Sequence, residues 1–431
     1  METIRNALNA FKLPDLRRKI LFTLAILVAY RIAAHVPMPG VNADALRQLF
    51  QSNQLLGLLD MFSGGAMSSF SVVAMGVYPY ITASIIMQLL QPLIPPLERL
   101  AHEGEAGQAK INQYTHIMTV PLAALSSIGQ ITIFTRSDTP VIENFNLLSA
   151  DTFIPSFATV ITLAAGTMFA VWLGELISEQ GIGNGISIII FGGIVAQIPQ
   201  RVAQDLRTNI PGLIAFAIIG LITVAAIVFI YEGQRRIPVQ YGKRVRGTKV
   251  YGGQSTHIPL KVNSAGMIPL IFASSILIFP GVIASYFQYA DNAVVASIAQ
   301  GIVSIFNQQQ IFYWILYFTM VVGFTYFYTD VVFQQQNLPE NLQKHGGFIP
   351  GIRPGARTAD YLNRVLRRIT LVGALFLGAV AVLPFFVSSF TPMQTMIITS
   401  TGLLIVVGVV IDTMKQLEAQ LLMRHYEGFL R

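Results

Sequence analysis

The 431-residue sequence contains no cysteine. This absence excludes a disulfide framework, a thiol nucleophile and a thiolate metal site, and it leaves the redox compartment open. Charged residues are also scarce, at 11% of the chain, against about 25% in soluble globular domains. What is abundant is apolar: 53% of residues are hydrophobic and the mean hydropathy is +0.59. The composition therefore predicts a protein that lies in a membrane.

Motifs of catalysis are missing as well. The sequence has no GxSxG elbow, no HExxH and no GxxxxGK[ST] phosphate loop. The six histidines are scattered, and each is interpreted as an interfacial residue rather than a ligand. Ionisable residues inside apolar runs are few, namely Arg31, Glu175, Asp330 and Asp412, and none has an obvious partner at mid-membrane. We therefore expect no enzyme activity, no cofactor and no metal, with energy supplied by a partner or a gradient.

Ten apolar runs are long enough for a helix to cross a bilayer, which takes roughly 20 residues. They cover about 20–37, 68–93, 116–136, 154–177, 183–200, 212–231, 265–288, 310–332, 369–388 and 393–412. The runs are too long for membrane β-strands. The first run is interpreted as a permanent span rather than a cleaved signal peptide, because it is long and heads many others. The sequence predicts an all-α polytopic membrane protein with ten transmembrane helices.

Lysine and arginine give the orientation of these spans. The connections 232–264 and 333–368 are rich in both residues, as is the leading segment, whereas 289–309 and 389–392 contain neither. Basic connections remain on the cytoplasmic side. Alternation of this kind predicts that both termini are cytoplasmic.

An even count of ten also divides into two halves, 1–200 and 201–431. Five crossings insert the second half from the opposite side, so related halves would be inverted with respect to one another. No convincing sequence repeat accompanies this division. Two inverted five-helix halves commonly enclose a central pathway.

The two long basic connections indicate a docking surface. Residues 232–264 alternate β-branched and aromatic residues with glycine turns, which is typical of a protruding hairpin. Residues 333–368 carry a glycine- and proline-rich tip at 349–355. The alternative is that these residues merely obey the positive-inside rule, which explains their sign but not the loop lengths. We expect a large partner that contains RNA or acidic protein.

Five ordered stretches carry a resemblance to a known family. They are AMGVYPYITASIIMQLL (74–90), AHEGEAGQAKINQYT (101–115), GIGNGISIII (181–190), STHIPLKVNSAGMIPLIFASSI (255–276) and GFIPGIRPG (347–355). Together they resemble the SecY family, the channel subunits of the bacterial Sec protein translocase, over nearly the whole chain.

The resemblance implies a clamshell of two halves around a central pore in the bacterial cytoplasmic membrane. Unfolded secretory polypeptides would cross through the pore. Hydrophobic segments would leave into lipid through a lateral gate between spans two and three on one side and seven and eight on the other. The implied partners are SecE, SecG or a similar small subunit, the motor ATPase SecA, a translating ribosome, signal sequences and nascent or preprotein chains, and membrane lipid.

The same resemblance implies a plug for the closed pore, at about residues 55–67. Its proposed members are Leu58, Leu59, Asp60, Met61, Phe62, Ser63, Gly64 and Gly65. Leucines at 55–59 would hold it against an apolar funnel, and the glycine pair would lower helix stability and provide a hinge. The alternative is an interfacial loop with a snorkelling aspartate.

A pore ring follows by position in the family motifs. The implied members are Ile81, Ile85, Ile186, Ile190, Ile271 and Ile405. An apolar constriction disfavours a continuous water column and offers a peptide no hydrogen bonds. Read without the resemblance, such isoleucines face lipid or a neighbouring helix. Asn184 is expected to be a polar neighbour of the pore, or alternatively a capping residue of span five.

The implied surface for SecA or the ribosome contains Arg246, Lys249, Arg353, Arg357 and Tyr426. Two other classes of function remain open at this point. A secondary transporter would need a polar site at the midplane, where this sequence has isoleucines. An insertase-like scaffold would need neither plug nor ring.

Overall fold

The structure is a computed structural model. It describes residues 13–52, 60, 63–135, 141–142, 145, 150–208, 210–241, 244–246, 249–251, 255–287, 292–307, 310–335, 338–390 and 394–428. The helices of this part are α1 (Pro14–Ala34), α2 (Ala43–Ser52), α3 (Tyr78–Leu90), α4 (Pro95–His102), α5 (Glu105–Thr135), α6 (Ala150–Gln180), α7 (Gly185–Thr208), α8 (Ile210–Glu232), α9 (Ile268–Phe287), α10 (Ala293–Ile305), α11 (Ile311–Gln335), α12 (Leu338–Lys344), α13 (Ala356–Phe390) and α14 (Gln394–Gly428). The strands are β1 (Gln234–Tyr241), β2 (Arg244–Arg246), β3 (Lys249–Tyr251), β4 (Ser255–Lys261) and β5 (Gly347–Phe348).

Every predicted apolar run contains a helix, and the chain is a mostly helical polytopic membrane protein. In the described part, four helices are long and apolar enough to span a membrane. The number is five if the bent pair of α3 and α4 forms a single span. The axes of that pair differ by 103°. Helix α8 is the most apolar of the four, and only 6% of its apolar stretch is buried within the protein. A helix so apolar is typical of a membrane span.

The second run corrects the sequence prediction. A span was expected over 68–93, but the helix begins only at Tyr78. Residues 63–77 instead form successive turns, and several of them, including Phe70 and Val73, are fully buried. Hydropathy records that a segment is apolar, not that its backbone is regular. Irregular backbone at membrane depth is tolerated where protein surrounds it.

The chain divides into two compact units. The first contains residues 1–218, 274–314 and 384–431, and the second contains 219–273 and 315–383. In the first unit, α6 packs against α1, α3, α5 and α7, and α14 packs against α7. The turn segment 63–77 is tied to the end of α1, because Met38 N–H donates to the Phe70 carbonyl at 3.0 Å and Val72 N–H donates to the Val36 carbonyl at 3.1 Å.

The second unit joins the two long basic connections in one small sheet of order β4-β1-β5. Strands β1 and β4 form an antiparallel hairpin, as predicted, with Ile237 opposite Ile258. The second connection adds β5 to the free edge of β1. A core of buried apolar side chains lies beneath the sheet and includes Val239, Leu260 and Leu362. The tip that follows β5 is therefore fixed to the hairpin.

Candidate channel site

The described part of the plug candidate is Asp60 and residues 63–67. Leu58, Leu59, Met61 and Phe62 lie outside the described residues. Asp60 is 6% exposed and Ser63 is 1% exposed. The segment is therefore enclosed by protein rather than lying at an interface.

Three side chains of neighbouring helices bond to this segment. The Tyr30 hydroxyl of α1 donates to the Ser63 carbonyl at 2.6 Å. The next residue, Arg31, donates from Nη1 to the Gly64 carbonyl at 2.6 Å. Gln197 of α7 donates from Nε2 to Asp60 Oδ2 at 3.2 Å. Sequence reasoning noted Arg31 as a costly charge in a span but found no partner for it, and it did not single out Tyr30 or Gln197.

The glycine pair packs closely against α7, with no room for larger side chains. Gly64 and Gly65 both have positive φ, at 67° and 86°, a conformation that glycine adopts without strain. A Cβ atom on Gly193 of α7 would lie 2.1 Å from Gly64 Cα. The two backbones meet because neither residue has a side chain.

The proposed ring residues lie on four helices. Ile81 and Ile85 of α3 are buried at 6% and 3% exposure, as are Ile271 of α9 (7%) and Ile405 of α14 (2%). On α7, Ile190 is 1% exposed. Ile186, one turn before it, is half-buried and packs with its Cδ1 against Gly174 of α6. Ile271 belongs to the second compact unit and the other five residues to the first.

Asn184 caps α7. Its Oδ1 accepts a hydrogen bond from Ser187 N–H at 3.1 Å, and the side chain is exposed. Bonding of this kind satisfies one of the free amide groups in the first turn of a helix. The capping interpretation is therefore observed, and a role beside the pore stays a prediction.

A hydrogen bond joins the second and seventh spans. The Tyr78 hydroxyl at the start of α3 donates to the Ser275 carbonyl of α9 at 3.4 Å. Both residues are buried. Sequence reasoning expected the lateral gate between these spans but did not identify Tyr78.

The basic residues proposed for a partner are spread over the loops. Arg353 and Arg357 are exposed, and the Arg353 carbonyl accepts a hydrogen bond from Thr358 Oγ1 at 2.9 Å, which fixes the turn into α13. Arg246 and Lys249 are paired in the register of β2 and β3, and Tyr426 lies in the last turns of α14. The side chains of these last three residues lie outside the described part.

A short contact between a histidine and a carboxylate was also missed. His116 Nε2 of α5 lies 2.6 Å from Glu175 Oε1 of α6, and the His116 ring is 5.4 Å from that of Tyr80 on α3. A lone histidine and a lone acid in separate spans gave no sign of this pairing. In the described part, no three histidine, aspartate or glutamate residues cluster as metal ligands would.

Solved structures show the class of fold. A structure described as "The plug domain of the SecY protein stablizes the closed state of the translocation channel and maintains a membrane seal" matches with a TM-score of 0.62 and 18% identity, covering 93% of this chain and 91% of that one. The Sec61 channel in the canine ribosome-channel complex from the endoplasmic reticulum matches with a TM-score of 0.59 and 16% identity, again over 93% and 91%. The fold is that of the SecY and Sec61 membrane channels.

Sequence comparison gives the particular family. The family model for SecY matches residues 71–414. A curated relative from Halalkalibacterium halodurans, described as protein translocase subunit SecY, is 44% identical over 99% of this chain and 100% of its own length. The chain belongs to the SecY family.

Proposed function

We propose that this chain is the protein-conducting channel of a bacterial cytoplasmic membrane, with both termini in the cytoplasm. It carries unfolded secretory polypeptides across the membrane and releases hydrophobic segments sideways into lipid. It is a channel subunit and not an enzyme. The observation that carries this proposal is full-length identity of 44% to a translocase subunit.

The seal of the closed channel has two parts in this proposal. Residues 55–67 are the plug, and the burial of Asp60 and Ser63 beside α1 and α7 supports a closed position. Ile81, Ile85, Ile186, Ile190, Ile271 and Ile405 form the ring, with Asn184 as its polar neighbour. The burial of Ile81, Ile85, Ile190 and Ile405, which all belong to the first unit, supports the ring. Apolar constrictions block ions by dewetting.

The lateral gate opens where α3 and α9 separate. The bond from Tyr78 to Ser275 supports a closed gate in this structure. The two inverted halves, 1–200 and 201–431, are proposed to move apart around this opening. Such rigid-body motion is the usual mode of alternating conformations in repeat-built membrane proteins.

The partners are a SecE-like and a SecG-like small subunit, a SecA-like motor ATPase and the ribosome. The canine relative is itself described in a complex with a ribosome. Arg246, Lys249, Arg353, Arg357 and Tyr426 are the proposed contacts. The rigid attachment of the 349–355 tip to the hairpin supports a preformed docking surface, which lowers the entropic cost of binding.

The experiment is a reconstitution in sealed vesicles with the small subunits and the motor ATPase. We expect ATP-dependent protection of a preprotein from external protease and low ion leak when idle. Deletion of residues 57–67 should raise the idle leak, because the plug is then incomplete. A variant in which 57–67 are replaced by glycine and serine at the same length is the matched control for loop shortening, and it should also leak.

A small-solute transporter, the alternative class, would instead accumulate solute without protecting any preprotein. That outcome would reject the channel. Preprotein translocation with an unchanged leak in both plug variants would keep the channel and reject the plug.

A further inference from the structure

Arg31 is in the last turn of α1, the first span. A charged side chain within a span is expensive unless a partner satisfies it. Its Nη1 donates to the Gly64 carbonyl at 2.6 Å. Such a charge-assisted hydrogen bond is about twice as strong as a neutral one.

Tyr30 adds a second bond at the adjacent carbonyl. Its hydroxyl is 2.6 Å from the Ser63 carbonyl oxygen, and the side chain is only 1% exposed. Consecutive residues of α1 therefore hold consecutive carbonyls of the plug segment. Both bonds go to the backbone in a turn with positive φ at Gly64.

Gln197 of α7 provides the third contact, at the start of the segment. The Asp60 carboxylate that it meets is 6% exposed, and burial of an ionised group is costly without hydrogen bonds. Oδ2 accepts from Gln197 Nε2 at 3.2 Å, and Oδ1 accepts from Ser68 N–H at 2.8 Å. One carboxylate thus links α7 to the far end of the same turn.

Internal bonds make the turn a single unit. Ser63 Oγ donates to the Asp60 carbonyl at 3.0 Å and accepts from Met67 N–H at 3.1 Å. Gly65 N–H donates to the Asp60 carbonyl at 2.8 Å. Because the turn is braced in this way, release of its outer contacts would free it as one piece.

We infer that Tyr30, Arg31 and Gln197 form a latch that holds Asp60, Ser63 and Gly64 in the sealing position, with Arg31 as its strongest member. This inference rests on the proposed channel function and assigns to the plug the side chains that retain it. The three are positioning residues, since they act through the segment that they hold. On this inference, a translocating chain that displaces the segment has to break these three polar contacts as well as the apolar packing around Ala66 and Met67.

The test measures ion leak of idle, reconstituted channels. Arg31→Met keeps an unbranched side chain, though a shorter one, and removes the hydrogen-bond donors, so the leak should rise about tenfold, the order expected for losing a hydrogen bond to a charged group. Arg31→Lys restores a charged donor and should recover much of the seal. Ile32→Met is the matched control on the same helix, since Ile32 is 65% exposed, and it should not leak.

Epistasis separates a latch from a general loss of structure. In the background lacking residues 57–67, Arg31→Met should add no further leak, because its partner is gone. If Arg31→Met raised the leak by the same factor in that background as in the intact protein, the latch would be overturned. Preprotein translocation in the same vesicles would still support the channel. Failure of both translocation and the deletion leak would reject the channel instead.

Thiol labelling gives a second readout that does not depend on conductance. The chain has no cysteine, so Met67→Cys introduces a single thiol at a position that is 2% exposed. Labelling by a membrane-impermeant maleimide should be faster in combination with Arg31→Met or Gln197→Leu than in Met67→Cys alone. Equal labelling rates in all three proteins would count against the latch.

Discussion

At the residue scale, the unusual features of this protein are polar atoms placed where lipid-spanning helices meet the turn segment. Arg31 stood out in the sequence because charges are rare in apolar runs. Its partner did not stand out, because that partner is the backbone carbonyl of Gly64, a group that every residue type has, and it lies 33 positions away in the sequence. Gln197 and Tyr30 gave no signal of their own. A sequence shows where a charged side chain would be energetically unfavourable in a membrane. It does not show which backbone group will bond to that side chain in the folded protein.

The contact between Gly193 and Gly64 leads to a prediction at this scale. Gly193→Ala places a Cβ atom 2.1 Å from Gly64 Cα. Overpacking of this kind costs about 1–3 kcal/mol. We expect a lower melting temperature for the purified protein and a higher idle ion leak.

Gly323→Ala is its matched control, also within a helix. A Cβ atom there meets nothing within 4 Å, and alanine favours helix over glycine. The melting temperature of this variant should be unchanged or higher. If both variants melted alike, the close approach of the two glycine backbones would not matter for stability.

At the element scale, nine of the ten apolar runs have most of their described residues in a single helix, and the second is turns followed by a helix. Long apolar runs predict helices well because lipid leaves the backbone few alternatives. The turns at 63–77 escaped prediction because the protein around them replaces lipid. Gly166 of α6 illustrates this, since a Cβ atom there would lie 2.0 Å from the Val72 carbonyl oxygen.

The cytoplasmic sheet offers a prediction for one strand. Val239 of β1 is fully buried in the core of the second unit, so Val239→Ala removes two methyl groups from that core. The cost is about 2 kcal/mol, from lost burial and the cavity left behind. Hydrogen exchange of β1 amides and proteolysis of the loops should both be faster.

Gln240→Ala serves as the control, because this neighbour on the same strand has an exposed side chain. In this variant, the β1 amides should exchange at the wild-type rate. If amide exchange were accelerated equally in both variants, the loss of buried apolar volume at Val239 would not be the cause.

At the scale of the whole molecule, coupling to the motor depends on charges far from the seal. Arg353→Glu reverses an exposed charge at the 349–355 tip. We expect motor-driven translocation to fall by about tenfold through lost electrostatic complementarity, while membrane insertion and assembly with the small subunits persist. Protease protection of a preprotein, measured beside subunit co-purification, checks both halves of this expectation.

Lys344→Glu makes the same change of charge on the same loop. Lys344 is exposed and its Nζ lies 3.6 Å from Glu340 Oε2, a surface pair of small energetic value. Translocation should continue in this variant. An equal loss in both would indicate a dependence on net charge, and loss of folding in Arg353→Glu would make the arginine structural.

The sequence by itself determined that the protein is helical and lies in a membrane, the approximate places of most long apolar helices and, through its ordered motifs, the family. Those properties depend on apolar length, on the distribution of lysine and arginine and on motif order, all of which are local or additive along the chain. Only the tertiary structure decided that 63–77 forms largely buried turns, that β5 joins the two cytoplasmic loops, and that Tyr30, Arg31 and Gln197 bond to Ser63, Gly64 and Asp60. Each of these depends on atoms brought together from distant positions in the chain, and most of the acceptors are backbone carbonyls, which are the same in every residue type.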